Sequence, residues 1–304
     1  MTGAASTLEE LVSPLTEAEF LSILRRRKLT LQRGANENRF SRLLNWKTLL
    51  GMIDRGDHPR GLADFRLAKE SVTLPADRWL TRSDADQKNK VDTAKVEGLL
   101  ADGFSLIITP IENYAPPLAS LCQSIKSRLS EQVKVGVIVT TGSGGAFKLH
   151  YDPEDLIILQ VEGSKRWQIY GPPVSNPVVG MKQPDPPPQD KPIFDEVLRP
   201  GDLLFLPAGS WHHCENGPGR SLHLGIFLVP PTSWHAMRAF TGQLLSEEIF
   251  RVPLTRVNGE SDLVALEADI KSRLVDRIGQ LRLSEFPSTW NKSGSSKADV
   301  TGSN

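Results

Sequence analysis

Between Val133 and Val229 the chain is cut into short apolar runs, VKVGVIVTT, FKLHYD, LIILQVE, KRWQIY, DLLFLP, SWHHCE and SLHLGIFLV, with Gly, Pro, Asn and Asp turn signals between them. Short strands at such close spacing predict a sandwich or barrel. The flanks read differently. Thr16 and Glu19 form a capping box ahead of a helix over 17–27, followed by a short strand, KLTLQ. A second helix begins near Asn45, residues 64–74 alternate as a strand, and helices over 92–102 and 116–130 enclose SLIITPI. After the strands, Thr232–Phe250 and Ser261–Leu281 are amphipathic helices joined by a linker around Pro253–Gly259. The predicted organisation is an amino-terminal α/β lead-in packed on the barrel (1–132), a β core (133–230), carboxy-terminal helices (231–285) and a Ser-, Gly-, Asn- and Lys-rich tail (286–304) read as disordered. The Pro- and Asp-rich stretch 171–192 is expected to be a long functional loop.

Composition narrows the function classes. Lys plus Arg and Asp plus Glu both number 36 in 304 residues, so no global charge draws the chain to nucleic acid or an anionic membrane. Neither is an expected partner. The first residues, MTGAASTLEELVSPL, are acidic where a secretory signal is basic, and no apolar run approaches the roughly 20 residues of a membrane helix. With only Cys122 and Cys214, a disulfide framework is excluded, and the expected compartment is the cytoplasm. Histidine is then the scarce resource, and four of the six fall between His150 and His223.

His150 and Asp152 are two apart on an apparent strand, so both project from one face. An imidazole beside a carboxylate suits a metal, although a hydrogen-bonded core histidine next to a surface aspartate gives the same pattern. Downstream, RPGDLLFLPAGSWHH brings His212 and His213 to a position from which an antiparallel barrel returns an imidazole to the first pair. Two histidines and a carboxylate form the facial triad of non-haem Fe(II) oxygenases. Local spacing does not choose between His212 and His213. Lys165 shares strand parity with Trp167 and Ile169 in SKRWQIY. If that face is interior, the ammonium needs an anion, and a small dicarboxylic ligand would supply one; a lysine at the strand mouth would instead reach water.

HYDPEDLIILQVEGSKRWQIYGPP, followed by RPGDLLFLPAGSWHH and SLHLGIFL, resembles the JmjC-type, cupin-like 2-oxoglutarate oxygenases, especially the ribosomal branch. The match covers residues 133–230 and extends loosely to TEAEFLSILRRRKLTLQRG. The resemblance implies a double-stranded β-helix (cupin, jelly-roll) core, mainly β with helical additions. It implies Fe(II) on His150, Asp152 and His212, the last chosen because the family's ligand lies ten residues after the Asp of its PGD turn, here Asp202. It also implies that Lys165 binds the distal carboxylate of the cosubstrate 2-oxoglutarate. The activity implied is hydroxylation of a protein or peptide side chain, or of a small amino-acid-like molecule, with release of succinate and CO2. On an N-methyl group the same step demethylates.

Relatives commonly carry an Asn and a Tyr on the strand before the HxD, where this chain has Gly136 and Ile138; Thr140, on the same face, is the hydroxyl available in their place. A polar position near the end of the last strand is Phe227. These departures define the rivals, an inactive cupin-fold binding or scaffold protein and a metal cupin that uses no 2-oxoglutarate. His223 and Trp167 are candidate pocket residues, with a satisfied interior histidine the plain alternative for His223. Trp211 and Cys214 are expected to pack, and His58 and His235 stand apart from the metal hypothesis. GSGG at 142–145 lacks the Lys-Ser/Thr of a phosphate loop, and Arg25–Lys28 complements a helix C-terminus. By resemblance, the carboxy-terminal helices are expected to form a homodimer interface.

Overall fold

The computed structural model describes residues 5–55, 64–82, 89–142, 145–182, 184–187 and 191–286; His58 and the expected disordered tail beyond Phe286 lie outside them. In chain order the regular elements are α1 (Leu8–Val12), α2 (Glu17–Arg25), β1 (Thr30–Gln32), α3 (Trp46–Arg55), β2 (Phe65–Lys69), β3 (Val72–Thr73), β4 (Leu80–Arg82) and β5 (Asn89–Val91). Then come α4 (Thr93–Ala101), β6 (Ser105–Ile108), α5 (Pro116–Leu129), β7 (Gln132–Thr141), β8 (Asp155–Glu162) and β9 (Lys165–Tyr170). The chain continues through β10 (Phe194–Leu198), β11 (Leu203–Leu206), β12 (Trp211–Asn216), β13 (Arg220–Val229), α6 (Ser233–Leu244) and α7 (Gly259–Gly279). It divides into two compact units, one ending at Val229 and the other beginning at Pro230.

In the first unit the strands form an antiparallel eight-stranded sheet, ordered β1-β11-β8-β13-β7-β6-β2-β3, a three-stranded sheet, β10-β9-β12, and an antiparallel β4-β5 pair. Strand periodicity sorts the large sheet into two faces. Val133, Val135, Val137 and Val139 of β7, Ile157, Leu159 and Val161 of β8, and Leu222, Leu224, Ile226 and Leu228 of β13 enter one apolar core with residues of α1 to α5. Each fully buried Leu or Ile there contributes about 1.5–3 kcal/mol of transfer free energy. The opposite face carries Leu156 and Ile158 of β8 and Leu204 and Leu206 of β11, packed against Trp167 and Ile169 of the small sheet. This is the jelly-roll arrangement of two sheets, and the space between them holds the remaining inward side chains.

The PGD turn fastens this arrangement. Gly201 has φ +91, and a Cβ there would lie 2.4 Å from the Asn36 carbonyl oxygen. Asp202 accepts hydrogen bonds from the Gly34 and Arg199 backbone amides and from Arg33 Nη1 at 2.8–2.9 Å. A buried carboxylate thus joins the lead-in to the turn before β11.

Several boundaries differ from sequence expectation for local reasons. Residues 64–74 are two strands, because Glu70 and Ser71 take positive φ and fold the segment into a hairpin. FKLHYD does not form a strand; its only ladder contact is an isolated bridge at His150. β10 was not expected, since its charged residues are exposed, yet Asp195 pairs with Arg166 of β9 at 2.6 Å and fixes it as an edge strand. Residues 171–182, 184–187 and 191–192 hold no regular element, as a long loop predicts.

In the second unit Thr232 caps α6 by accepting from the His235 amide, and α6 ends at Leu244 instead of continuing to Phe250, which lies in a 3-10 turn. Arg273 and Arg277 of α7 both pair with Glu247, at 2.7 and 3.1 Å. No residue of α7 is buried, and Val264, Val275 and Ile278 are more than half exposed.

Candidate metal centre

Two backbone hydrogen bonds bring the candidate ligands together. His150 donates its amide to the His212 carbonyl at 3.2 Å, and His212 returns the bond at 2.7 Å. Residues that exchange both bonds sit directly opposite with side chains on one side of the ladder. The rings are accordingly 4.3 Å apart between centroids. Asp152 is held by its carbonyl, which accepts from the Gly209 amide at 2.8 Å. One ligand atom from each of His150, Asp152 and His212 then lies within 4.8 Å of the other two. His213, next on β12, takes the other face and does not join them.

The donor chemistry fits a cation. Nδ1 of His150 lies 2.8 Å from the Lys148 carbonyl and Nδ1 of His212 lies 3.0 Å from the Ser210 carbonyl, so each Nδ1 carries its proton and each Nε2 presents a lone pair. His212 Nε2 faces Asp152 Oδ2 at 3.7 Å. This is no ordinary ion pair, because burial, reinforced by His150, pushes the His212 imidazole down to about 3 and keeps it neutral. Two lone-pair donors facing each other are mutually repulsive unless a cation lies between them. Trp167 stacks on His212 at 5.6 Å with a 25° tilt, and Phe147 lies 5.2 Å from His150, so apolar rings back both imidazoles.

Lys165 is interior, which decides between the two readings left open by its parity with Trp167. It is 2% exposed, and burial holds its ammonium below the usual lysine range. Its hydrogen bond runs from Nζ to Thr140 Oγ1 at 3.1 Å, and no carboxylate of the described residues lies within ion-pair distance. A buried ammonium with one neutral partner costs several kcal/mol and awaits an anion.

Comparison with known proteins agrees with this geometry. Residues 110–236 match the family described as the JmjC domain. That match takes in α5, β7 to β13 and the start of α6. The bifunctional lysine-specific demethylase and histidyl-hydroxylase NO66 of Drosophila mojavensis is 26% identical over 221 residues, 71% of this chain and 24% of that protein. Its Drosophila grimshawi counterpart is 35% identical over 136 residues, 42% of this chain and 18% of that one. The chain therefore spans roughly a quarter or less of these two relatives. Among solved structures, the Escherichia coli ribosomal oxygenase YcfD superposes with a TM-score of 0.53 at 16% identity, covering 90% of this chain and 71% of that one. Another YcfD structure, in complex with cobalt and 2-oxoglutarate, gives 0.51 at 16% identity over 84% of this chain and 66% of that one. The fold is thus the cupin-like jelly roll of JmjC proteins.

Other features around the candidate site were only partly visible in the sequence. His223 is buried, lies edge-on to Trp167 at 5.6 Å and leaves Nδ1 without a partner; burial and the Lys165 charge hold it well below its usual range. Trp167 Nε1 is likewise buried without a partner. Cys214 shares the inward face of β12, and burial pushes its thiol up to about 12, so it packs as a neutral group. Trp211 packs edge-on to Tyr151 at 5.0 Å. Gln160, Ser221 and Ser105 escaped sequence reasoning, although all are fully buried near Thr140 or Lys165. Gln160 had a signal, as the one polar residue inside LIILQV; the serines had none. Gly136 and Phe227 prove to be one feature. A Cβ at Gly136 would lie 2.7 Å from Thr109 Oγ1 and 3.2 Å from Phe227 Cε2, so the phenyl ring occupies the space beside the glycine.

Proposed function

We propose that this chain is an Fe(II)- and 2-oxoglutarate-dependent hydroxylase acting on a protein or peptide side chain. The observation that carries the reading is the pairing of a two-imidazole, one-carboxylate donor set with a buried ammonium that lacks an anion on the same inward surface. His150, Asp152 and His212 would hold the metal, and Lys165 with Thr140 would bind the distal carboxylate of the cosubstrate. Bound Fe(II) supplies oxygen activation coupled to oxidative decarboxylation of 2-oxoglutarate, which yields succinate and CO2 and hydroxylates a substrate C–H.

The protein's own residues do the remaining work. The Lys148 and Ser210 carbonyls fix the imidazole tautomers and aim both Nε2 atoms at one point. Trp167 holds the His212 ring flat, while Ile107, Ile138, Ala68, Ala146 and Phe147 form an apolar cluster beside His150 that limits water. Lys165 and Thr140 fix the cosubstrate by its far end. Without that restraint its reacting end would not be held in register with the metal.

A protein substrate is favoured over a small metabolite because the NO66 and YcfD relatives are named for histidyl, lysine and ribosomal substrates. Free Cys122 and Cys214 support a reducing, cytoplasmic setting. The half-exposed Trp234 of α6 and exposed Val264, Val275 and Ile278 of α7 support a homodimer through the carboxy-terminal helices, for which light scattering should return twice the chain mass. The deciding assay is succinate formation with Fe(II), 2-oxoglutarate, O2 and peptide arrays containing histidine and methyl-lysine. Substrate-stimulated succinate with a mass gain of one oxygen is expected. Metal binding without 2-oxoglutarate binding would favour the scaffold or the 2-oxoglutarate-independent cupin.

A further inference from the structure

Thr140 sits in a buried polar patch on the inward face of the large sheet. Directly opposite it on β6 is Ser105, and directly opposite on β13 is Ser221; all three are fully buried. The two serines are engaged differently. Ser221 Oγ accepts from Gln160 Nε2 at 2.9 Å, whereas Ser105 Oγ lies 2.8 Å from Thr140 Oγ1. Ser105 precedes the stretch that matches the JmjC domain. From its place in sequence it has no tie to the site.

Proton accounting gives that contact a direction. The Lys165 ammonium can only donate, so it fills one lone pair of Thr140 Oγ1. If Thr140 gave its proton to Ser105, nothing would remain for an incoming anion. If Ser105 donates, both lone pairs of Thr140 are filled and its own O–H is free to point at a carboxylate oxygen. The same contact fixes the rotamer. A threonine's methyl and hydroxyl are close in shape, and the Ser105 bond selects the arrangement that turns the hydroxyl, not the methyl, toward Lys165.

We propose that Ser105 is a positioning residue for the cosubstrate, acting through Thr140 so that Lys165 and Thr140 present two donors to the distal carboxylate. The inference rests on the 2-oxoglutarate reading given above. It predicts that Ser105 discriminates between keto acids that have a distal carboxylate and those that do not.

The test is a binding cycle on Mn(II)-loaded protein without oxygen, using 2-oxoglutarate and 2-oxopentanoate, which lacks the distal carboxylate. Ser105→Ala should weaken 2-oxoglutarate binding about five- to tenfold, the size of one lost hydrogen bond between neutral groups. It should leave 2-oxopentanoate binding and Mn(II) stoichiometry unchanged. Placed in a Thr140→Ala background, Ser105→Ala should add nothing, since its effect passes through the missing hydroxyl. Ser105→Cys, which offers only a weak donor, gives the same readout if the alanine variant does not fold. Equal 2-oxoglutarate affinity in wild type and Ser105→Ala would overturn the proposal, as would equal weakening of both keto acids or a full Ser105 effect in the Thr140→Ala background. A wild-type protein that binds Mn(II) but not 2-oxoglutarate would overturn the cosubstrate reading itself, and this inference with it.

Discussion

The two faces of the eight-stranded sheet are made from the same strands and have opposite jobs. Along β7, Val133, Val135, Val137 and Val139 enter the apolar core, while Lys134, Gly136, Ile138 and Thr140 occupy the other face. Along β13, Leu222, Leu224, Ile226 and Leu228 alternate with Ser221, His223, Gly225 and Phe227 in the same way. The first face follows the simplest rule of folding, that apolar area leaves water. The second breaks it with buried Ser105, Thr140, Gln160, Ser221 and His223, and it faces the buried Lys165 and His212 of the small sheet. Such groups lower stability unless something completes them. The difference therefore locates the face where ligands are expected.

The largest effect should come from the donor set. Asp152→Ala or His150→Ala should abolish stoichiometric Mn(II) binding, read by equilibrium dialysis, whereas His213→Ala on the outward side of β12 should leave it intact. Loss of metal in His213→Ala with retention in His212→Ala would break the division of β12 into inward and outward histidines. A smaller effect separates the two faces by stability. Leu224→Ala, on the core face, should cost about 2–5 kcal/mol in denaturant unfolding while the folded fraction still binds Mn(II). Lys165→Met, on the small sheet that faces the site, should do the reverse. It should raise the stability of the ligand-free protein by about 1–3 kcal/mol, because a buried unpaired charge is replaced by an apolar chain of similar length. It should weaken 2-oxoglutarate binding by more than about 100-fold, the loss of a desolvated charge partner. A Lys165→Met protein less stable than wild type would mean that the ammonium is already satisfied.

How far the sequence carried these conclusions depended on whether a residue's partner was near it in the chain. His150 and Asp152 are two apart and Lys165 shares parity with Trp167 and Ile169, so local spacing grouped these side chains, but it left open which way the Lys165 face points and which of His212 and His213 joins the pair. The alternation in FKLHYD was misleading. It imitates a strand, but the segment pairs only once, at His150, and Phe147 lies against the imidazole. β10 was hidden for the opposite reason. Its exposed Asp195 and Glu196 suppress any apolar alternation, and what holds it is the Arg166 pair across the sheet. Ser105 carried no local signal, since its role depends on Thr140, thirty-five residues away in the chain and opposite in the sheet. Gly136 and Phe227 looked like two separate departures from the family pattern until β7 and β13 were paired. The pairing shows them as one exchange of volume.

The smallest expected effect concerns acid. An unfolded histidine takes up a proton near pH 6.5, but burial keeps His212 neutral down to about 3 and holds His223 well below its usual range. Between these values the unfolded chain binds more protons than the folded one, so stability rises with pH and falls as the solution is acidified. Each such histidine contributes a slope of about 1.4 kcal/mol per pH unit. Glu131 works against this trend. Its carboxyl, pushed up to about 7 by burial and by Asp155, takes its proton earlier in the folded state and so favours folding as pH falls through 7 toward 4.5. The informative quantity is therefore a difference between two proteins. Denaturant unfolding of metal-free wild type and His223→Asn at pH 7, 6 and 5 should give a wild-type curve that is steeper by about 1.4 kcal/mol per pH unit once the pH is below 6.5. Parallel curves would mean that His223 accepts a proton in the folded protein. The site face would then be hydrated like an exterior surface, and its contrast with the valine face would be one of side-chain type and not of environment.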